Sequence, residues 1–421
     1  MQRGLLLFAI AGLTLAQGVR FLRWQKLQPI IASLKASGEK LPEFTNASEW
    51  DTWIYARDLQ IRSQAEQGVE DSISALILFG NSFTNLPRLA NTGEAVDAAG
   101  GLSIAARERI DGFIQALDER DDDRFRTVLD FLQRRRVTEE ELRPFLGGII
   151  RRLALDQAPE ERIHENTTSA LLLVDFAFEE ALRALKAKGE TPARIRRIAV
   201  IGAGLDFAGS PDHFDFHPPQ SLTPYAVQET VARLNLAQGS EPQVTVFELG
   251  SFALSHIRTT TAKARAGVGY NLQLPRRKQE GWNAAAVSYW NHFGEAIATS
   301  GVALPVPSAW HDIETRSVTV KPQFAARVYA EEMDVVTQNA EPLPGQGFDL
   351  IIALHHSSDH DHIEQALALA SVSQMLNSGG VFLADADMAK VVPQELNFLG
   401  AQHVAFQDHG EGHNIAMYRK K

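Results

Sequence analysis

No cysteine occurs in the 421 residues. That absence excludes a disulfide framework, a thiolate metal site and a cysteine nucleophile. It leaves the redox compartment open, because a cysteine-free chain tolerates either environment. Positive charge is also scarce: 41 Lys and Arg stand against 52 Asp and Glu, a formal net charge of −11. Neutralising phosphates takes clustered cations, so no nucleic acid is expected as a partner. No repeat of fixed period is present, and beyond the first twenty residues no run is apolar and long enough to span a bilayer. What remains is globular: 44% of residues are hydrophobic and 22% charged. The length exceeds one ordinary core, which points to at least two domains.

The first segment is the odd one. Residues 4–19 are uncharged, with Arg3 before them and a loose small-x-small site at Thr14-Leu15-Ala16. That is the form of a signal peptide, assigned to residues 1–20. Arg20, Arg23 and Lys26 follow closely, and basic residues in that position resist translocation. Three readings stay open: a leader for export, a membrane-associating segment, or a buried first helix.

Residues 21–165 read as an all-α N-terminal domain. Trp50, Trp53, Ile54 and Ile61 recur at mostly helical spacing. Ile110, Phe113, Ile114 and Leu117 form an i, i+3, i+4, i+7 stripe, and Phe125, Val128, Leu129 and Leu132 a second. The rhythm changes near Asn166. A long amphipathic helix leads into "RIAVIGAG", a strand of branched residues ending in glycines. Thr223 and Pro224 read as an N-cap and first turn. "QVTVFELG", "FDLIIALHH" and "GGVFLADAD" are further strands. "AQHVAFQD" and "HNIAMYRKK" close the chain as a pair around Gly410 to Gly412. Strand–helix alternation predicts an α/β fold over residues 166–421, a Rossmann-like doubly wound sheet with a terminal antiparallel strand pair. Ligands in such sheets bind beyond the carboxyl ends of the strands.

The loops at those ends carry the candidate site. Gly202 and Gly204 permit close backbone approach to a ligand. A dinucleotide fingerprint needs a third glycine where Phe207 stands, which weakens a nicotinamide reading. Glu248 ends the next strand, where an acid accepts hydrogen bonds from ribose hydroxyls or caps a helix. The densest polar cluster is "HHSSDHDH". Its Asp361 reads as a helix cap with Glu364 three residues on. Contiguous helical residues diverge, so no metal site is expected from it. His355 and His356 end a strand at the cofactor mouth and are the candidates for a general base, with a structural role as the alternative. Asp212, His213, Asp215 and His217 interleave with Phe214 and Phe216 just past the glycine loop. They read as a lid or substrate wall, or as a rigid proline-terminated loop.

In this order the features resemble the class I S-adenosylmethionine-dependent methyltransferases: "VIGAGLDF", Glu248, "FDLIIALHH", "MLNSGGVFLA" and "HNIAMYRKK", spanning about Thr168 to Lys421. The resemblance implies S-adenosylmethionine as cofactor, with Gly202 and Gly204 along its methionine portion and Glu248 on its ribose. It places Asp334 near the adenine, and Leu354 and His355 near the sulfonium. Two positions depart from the family pattern. Val200 replaces an acid before the first glycine, and Asp206 replaces the third glycine. Asp206 either supplies the missing carboxylate or marks a degraded site. The interruption between second and third strands loosely resembles the chemotaxis-receptor glutamate methyltransferases. Two functions follow as expectations: a methyltransferase acting on an unidentified small-molecule or protein acceptor, or a catalytically inactive binding or scaffold protein on the same fold, exported if the leader directs it. Membrane association through residues 4–19 belongs to either.

Overall fold

The computed structural model describes residues 18–120, 122–156, 167–207, 215–239, 241–342, 345–353, 361–384 and 392–421. Of the leader-like segment expected over residues 1–20, only residues 18–20 are among them. Among the described residues no helix is long and apolar enough to cross a membrane.

The N-terminal half contains strand β1 (Val19–Phe21) and helices α1 (Trp24–Ala36), α2 (Ala47–Phe79), α3 (Ile104–Glu119), α4 (Asp123–Arg134) and α5 (Glu139–Leu155). Then follow α6 (Thr168–Ala187), β2 (Arg197–Ile201), α7 (Thr223–Arg233), β3 (Gln243–Glu248), α8 (Ser251–Arg265), β4 (Tyr270–Arg277), α9 (Ala284–His292), β5 (Ala298–Ser300) and β6 (Ile313–Val320). The chain ends with α10 (Pro322–Ala325), β7 (Val328–Glu332), β8 (Gln338–Ala340), β9 (Phe348–Ala353), α11 (His362–Met375), β10 (Leu376–Ala384), β11 (Leu396–Ala405) and β12 (Gly412–Lys420).

The central sheet has the order β11-β12-β10-β9-β2-β3-β7. Pairing is parallel from β10 through β9, β2 and β3 to β7, and antiparallel at β12 and β11. Parallel neighbours cannot be joined by a tight turn, so each crossover carries helices onto a face of the sheet. Strand alternation then divides the side chains between two cores. Ile198, Val200, Val244, Val246, Leu350 and Ile352 point to one face, with α6, α7, α8 and β4. Ala199, Ile201, Phe247, Ile351 and Ala353 point to the other, with α1, the start of α2, and α11. These strands are sealed on both sides, which is why they read as near-continuous apolar runs.

Several expectations need correction. The N-terminal region is not purely helical, since β1 pairs antiparallel with β8. Nor does it keep one core of its own. Leu27, Ile31, Trp50 and Ile54 pack into the sheet's second core, and the Trp50 indole donates to the Leu22 carbonyl at 2.8 Å. The interruption expected between the second and third strands contains a second sheet, antiparallel, in the order β4-β6-β5. On α4 the stripe is shifted: Leu129 is 41% exposed, whereas Arg124, Phe125, Val128, Phe131 and Leu132 are buried. Thr223 is the first helical residue of α7 rather than its cap, and its hydroxyl lies 3.3 Å from the buried Asp175 carboxylate.

Candidate functional site

The sheet reverses direction at β2. From there the chain adds β3 and β7 on one side, then returns to add β9 and β10 on the other. At such a reversal the connections leave to opposite faces, and a crevice opens beyond the carboxyl ends of the strands. Gly202 and Gly204 stand at that point on β2, Glu248 ends β3, and Ala353 ends β9. The sequence thus places three of its candidates together at the carboxyl ends of two adjacent parallel strands.

Both glycines adopt left-handed backbone, with φ of 69° at Gly202 and 66° at Gly204. An L-residue pays roughly 1–2 kcal/mol there. The Gly202 N–H donates to the Phe247 carbonyl at 3.0 Å, which ties the loop to β3. Glu248, half-buried, turns its carboxylate toward this loop. It accepts from the N–H groups of Leu249 at 2.8 Å and Gly250 at 3.0 Å, and the N–H groups of Ala203 and Gly204 lie near enough to act on its charge. Burial pushes its carboxyl above the ordinary carboxylate value, and the four backbone donors pull against that rise. A carboxyl group therefore sits beside the glycine loop.

The other two predicted acids face elsewhere. Asp206 is 5% exposed. Its Oδ2 accepts from the Thr168 N–H at 2.7 Å and hydroxyl at 2.6 Å, fastening the start of α6. Its backbone pairs with Gln220 in both directions, and His217 Nε2 lies 3.5 Å from the carboxylate. Asp206 fastens the start of α6 to the end of the glycine loop. Asp334 follows β7 as expected but is 2% exposed. Its carboxylate accepts from the Val336 N–H at 3.0 Å and the Thr337 hydroxyl at 2.7 Å. It closes a turn rather than presenting a free acid. Helix α2 reaches the same turn: Asp58 lies 2.8 Å from the Thr337 hydroxyl, and Arg62 pairs with Asp58 and with Glu332 at the end of β7.

Leu354, His355, His356, Asp359 and His360 lie outside the described residues, as do Asp212, His213 and Phe214. Asp361 caps α11 in a capping box with Glu364, and Arg57 on α2 pairs with both acids. Among the described residues no three His, Asp or Glu converge as a metal-ligand set. Asp215 and His217 belong to the junction with the helical region. The Asp215 carboxylate accepts from the N–H groups of Asn81 at 2.8 Å and Ser82 at 2.7 Å.

Sequence reasoning passed over several residues that shape this site. Thr168 and Gln220 anchor Asp206. Gln220 in turn donates to the Gln273 carbonyl on β4 at 2.7 Å. Arg124 on α4 binds the stretch after the glycine loop. Nearby, the Ser221 N–H donates to the Tyr270 hydroxyl at 3.0 Å, which lies 2.9 Å from His256 Nε2. Burial lowers His256 to about 4, so the imidazole is neutral at pH 7 and shares a hydrogen bond with the Tyr270 hydroxyl. For Arg124 a signal existed: it occupies a stripe position of α4, four residues before Val128 and seven before Phe131.

Neither a protein-family model nor a curated protein matches the sequence. Solved structures do show similarity. The N-methyltransferase NodS from Bradyrhizobium japonicum WM9 aligns at 11% identity and a TM-score of 0.26, over 63% of this chain and 99% of its own. A TehB-like SAM-dependent methyltransferase from Corynebacterium glutamicum aligns at 10% identity and 0.24, over 59% and 98%. The glycopeptide N-methyltransferase MtfA, complexed with S-adenosyl-L-methionine, aligns at 12% and 0.23, over 56% and 75%. At TM-scores this low the likeness adds no weight to what the strand order and the crevice already convey.

Proposed function

We propose that the crevice binds S-adenosylmethionine and that the protein is a methyltransferase. One observation carries the reading: the Glu248 carboxyl ends β3 beside the glycine loop, close enough for the N–H groups of Ala203 and Gly204 to lower its pKa. A dinucleotide would bring its pyrophosphate to those N–H groups, against a carboxylate already in place, and two like charges at contact repel strongly in a partly buried site. An adenosyl sulfonium is cationic and brings a neutral ribose diol, so it suits the same geometry. The residues present therefore fit the cofactor.

S-adenosylmethionine supplies an electrophilic methyl group. The chain's own contribution is alignment and exclusion of water. Gly202 and Gly204 let the backbone approach the methionine portion, and Glu248 accepts from the ribose hydroxyls. His355 and His356, two and three residues beyond the end of β9, are proposed to take the proton from a hydroxyl or amine acceptor; a carboxylate acceptor needs no base. Asp334 and Leu354 stay proposals for the adenine and sulfonium ends, Asp334 through its turn rather than a free carboxylate. Strand β1 is built into the fold, so removal of a leader would have to occur before Val19, as cleavage after Ala16 does.

A non-catalytic binding protein on the same fold is the second reading, favoured by Asp206. Its carboxylate is taken up by Thr168, which leaves the departure in the glycine loop uncompensated. Calorimetric titration with S-adenosylhomocysteine separates the two. The expected result is saturable one-to-one binding, with no competition from NAD. Absence of heat at millimolar ligand would leave only the scaffold reading.

A further inference from the structure

Arg124 is 4% exposed and lies in the first turn of α4, just after its cap Asp122. Its guanidinium reaches across to the stretch that follows the glycine loop. Nε donates to the Phe207 carbonyl at 2.7 Å, Nη1 to the Asp215 carbonyl at 3.3 Å, and Nη2 to the His217 carbonyl at 2.8 Å. All three acceptors are backbone. The contact therefore sets the path of the main chain, whatever side chains the loop carries. Burial lowers the guanidinium pKa, opposed by the nearby carboxylates of Asp215, Asp122 and Asp206, and the planar fork is the side chain best shaped to hold several oxygens at once.

The same junction is fixed from α2. Asp215 accepts from the N–H groups of Asn81 and Ser82, just beyond that helix. Between the two anchors the packing is aromatic. Phe207 and Phe252 have ring centroids 4.6 Å apart, and Phe131 of α4 meets Phe252 edge-on at 5.7 Å. Phe207 and Phe252 belong to the same apolar core as α3, α4 and α5, with Leu205 packed against it. The loop that begins at Gly202 on the sheet thus ends inside the helical core.

We propose that Arg124 is a positioning residue for the cofactor loop, and that through it occupancy of the crevice and docking of α2 and α4 form one coupled equilibrium. The inference rests on the cofactor reading above. Only two residues separate Gly204 from Phe207, and two positive-φ glycines make this loop intrinsically permissive. Held at Phe207, the loop is ordered before ligand arrives; released, its ordering is charged against binding. Linkage then requires the converse: ligand in the crevice tightens the helical junction.

The test uses the full chain and S-adenosylhomocysteine. In hydrogen exchange of the wild type, ligand is expected to slow exchange in peptides covering 78–86 and 122–134, as well as in 198–207. Arg124→Met is expected to weaken binding by about tenfold or more, from the cost of ordering freed loop residues. Arg124→Lys, with a charge but no fork, should recover only part of it. Protection confined to 198–207, or an R124M protein that binds as the wild type does, would overturn the proposal. Should R124M fail to fold, the wild-type exchange result decides alone. A wild type that gives neither heat nor protection removes the cofactor reading itself, and this inference with it.

Discussion

Replacing Glu248 by alanine is expected to weaken S-adenosylhomocysteine binding at least a hundredfold. The carboxylate would accept from two ribose hydroxyls, and hydrogen bonds to a charged group contribute about 1.5–3 kcal/mol each. It also accepts from the N–H groups of Leu249 and Gly250, so its loss loosens the turn that follows β3 as well. Glu248→Gln keeps the shape and one acceptor, and should lose about tenfold, the share carried by charge. The apo protein gives an independent readout. Burial raises the carboxyl above its ordinary value of 4.5, so the folded chain holds a proton that the unfolded chain releases. Stability from this group is complete below that ordinary value and declines as pH rises through the folded one. Ligand affinity should move the opposite way, rising as the carboxylate ionises. Thermal unfolding from pH 4 to 8 checks this: E248Q should lose that part of the slope. Equal slopes in both proteins, or full affinity in E248A, would count against the assignment.

The largest stability effect is expected at Arg109→Met. Arg109 is 1% exposed and sits on α3 under the end of α2. It donates to the carbonyls of Ile77 at 2.5 Å, Leu86 at 2.9 Å and Pro87 at 2.9 Å, and also to that of Gly80. Its guanidinium also lies 5.2 Å from the Phe83 ring centroid. Burial and the charge of Arg88 lower its pKa to about 10, which leaves it cationic at pH 7. Methionine fills much of the volume and satisfies none of the carbonyls. An unsatisfied buried polar group costs about 1–3 kcal/mol, so the variant should lose about 4 kcal/mol or more, a large part of a typical 5–15 kcal/mol. Denaturant midpoints measure it. A loss below about 1 kcal/mol would show that water replaces the guanidinium at no cost. Since Gly80 and Ser82 adjoin the Asp215 contact, R109M should also disturb the junction that Arg124 holds.

The central sheet was legible because its strands are sealed on both faces. "RIAVI", "VTVF" and "LIIA" are unbroken apolar runs, and glycines or acids mark their ends. Strand β1 was not legible. Three residues give no measurable alternation, and the strand exists only because β8, more than three hundred residues later, offers an edge. Strand β4 was hidden by its own composition: "YNLQLPRR" mixes Pro275, Asn271 and two arginines into a strand that is stable because β6 pairs along its whole length. At the site, Glu248 could be read from its place after a strand. Asp206 could not. A carboxylate one turn past a glycine loop is equally suited to a ligand or to a helix start, and only the position of Thr168 decides between them. Arg109 was passed over outright, and Arg124 despite its place in the α4 stripe. Burying a guanidinium needs backbone carbonyls from distant segments, and no local pattern announces where those will be.

The most direct measurement is a crystal structure of the protein grown with S-adenosylhomocysteine. The ribose hydroxyls are expected within hydrogen-bond distance of the Glu248 carboxylate, with the amino-acid end along Gly202 and Gly204. A crevice still empty at millimolar ligand, or ligand bound elsewhere on the chain, would contradict the assignment.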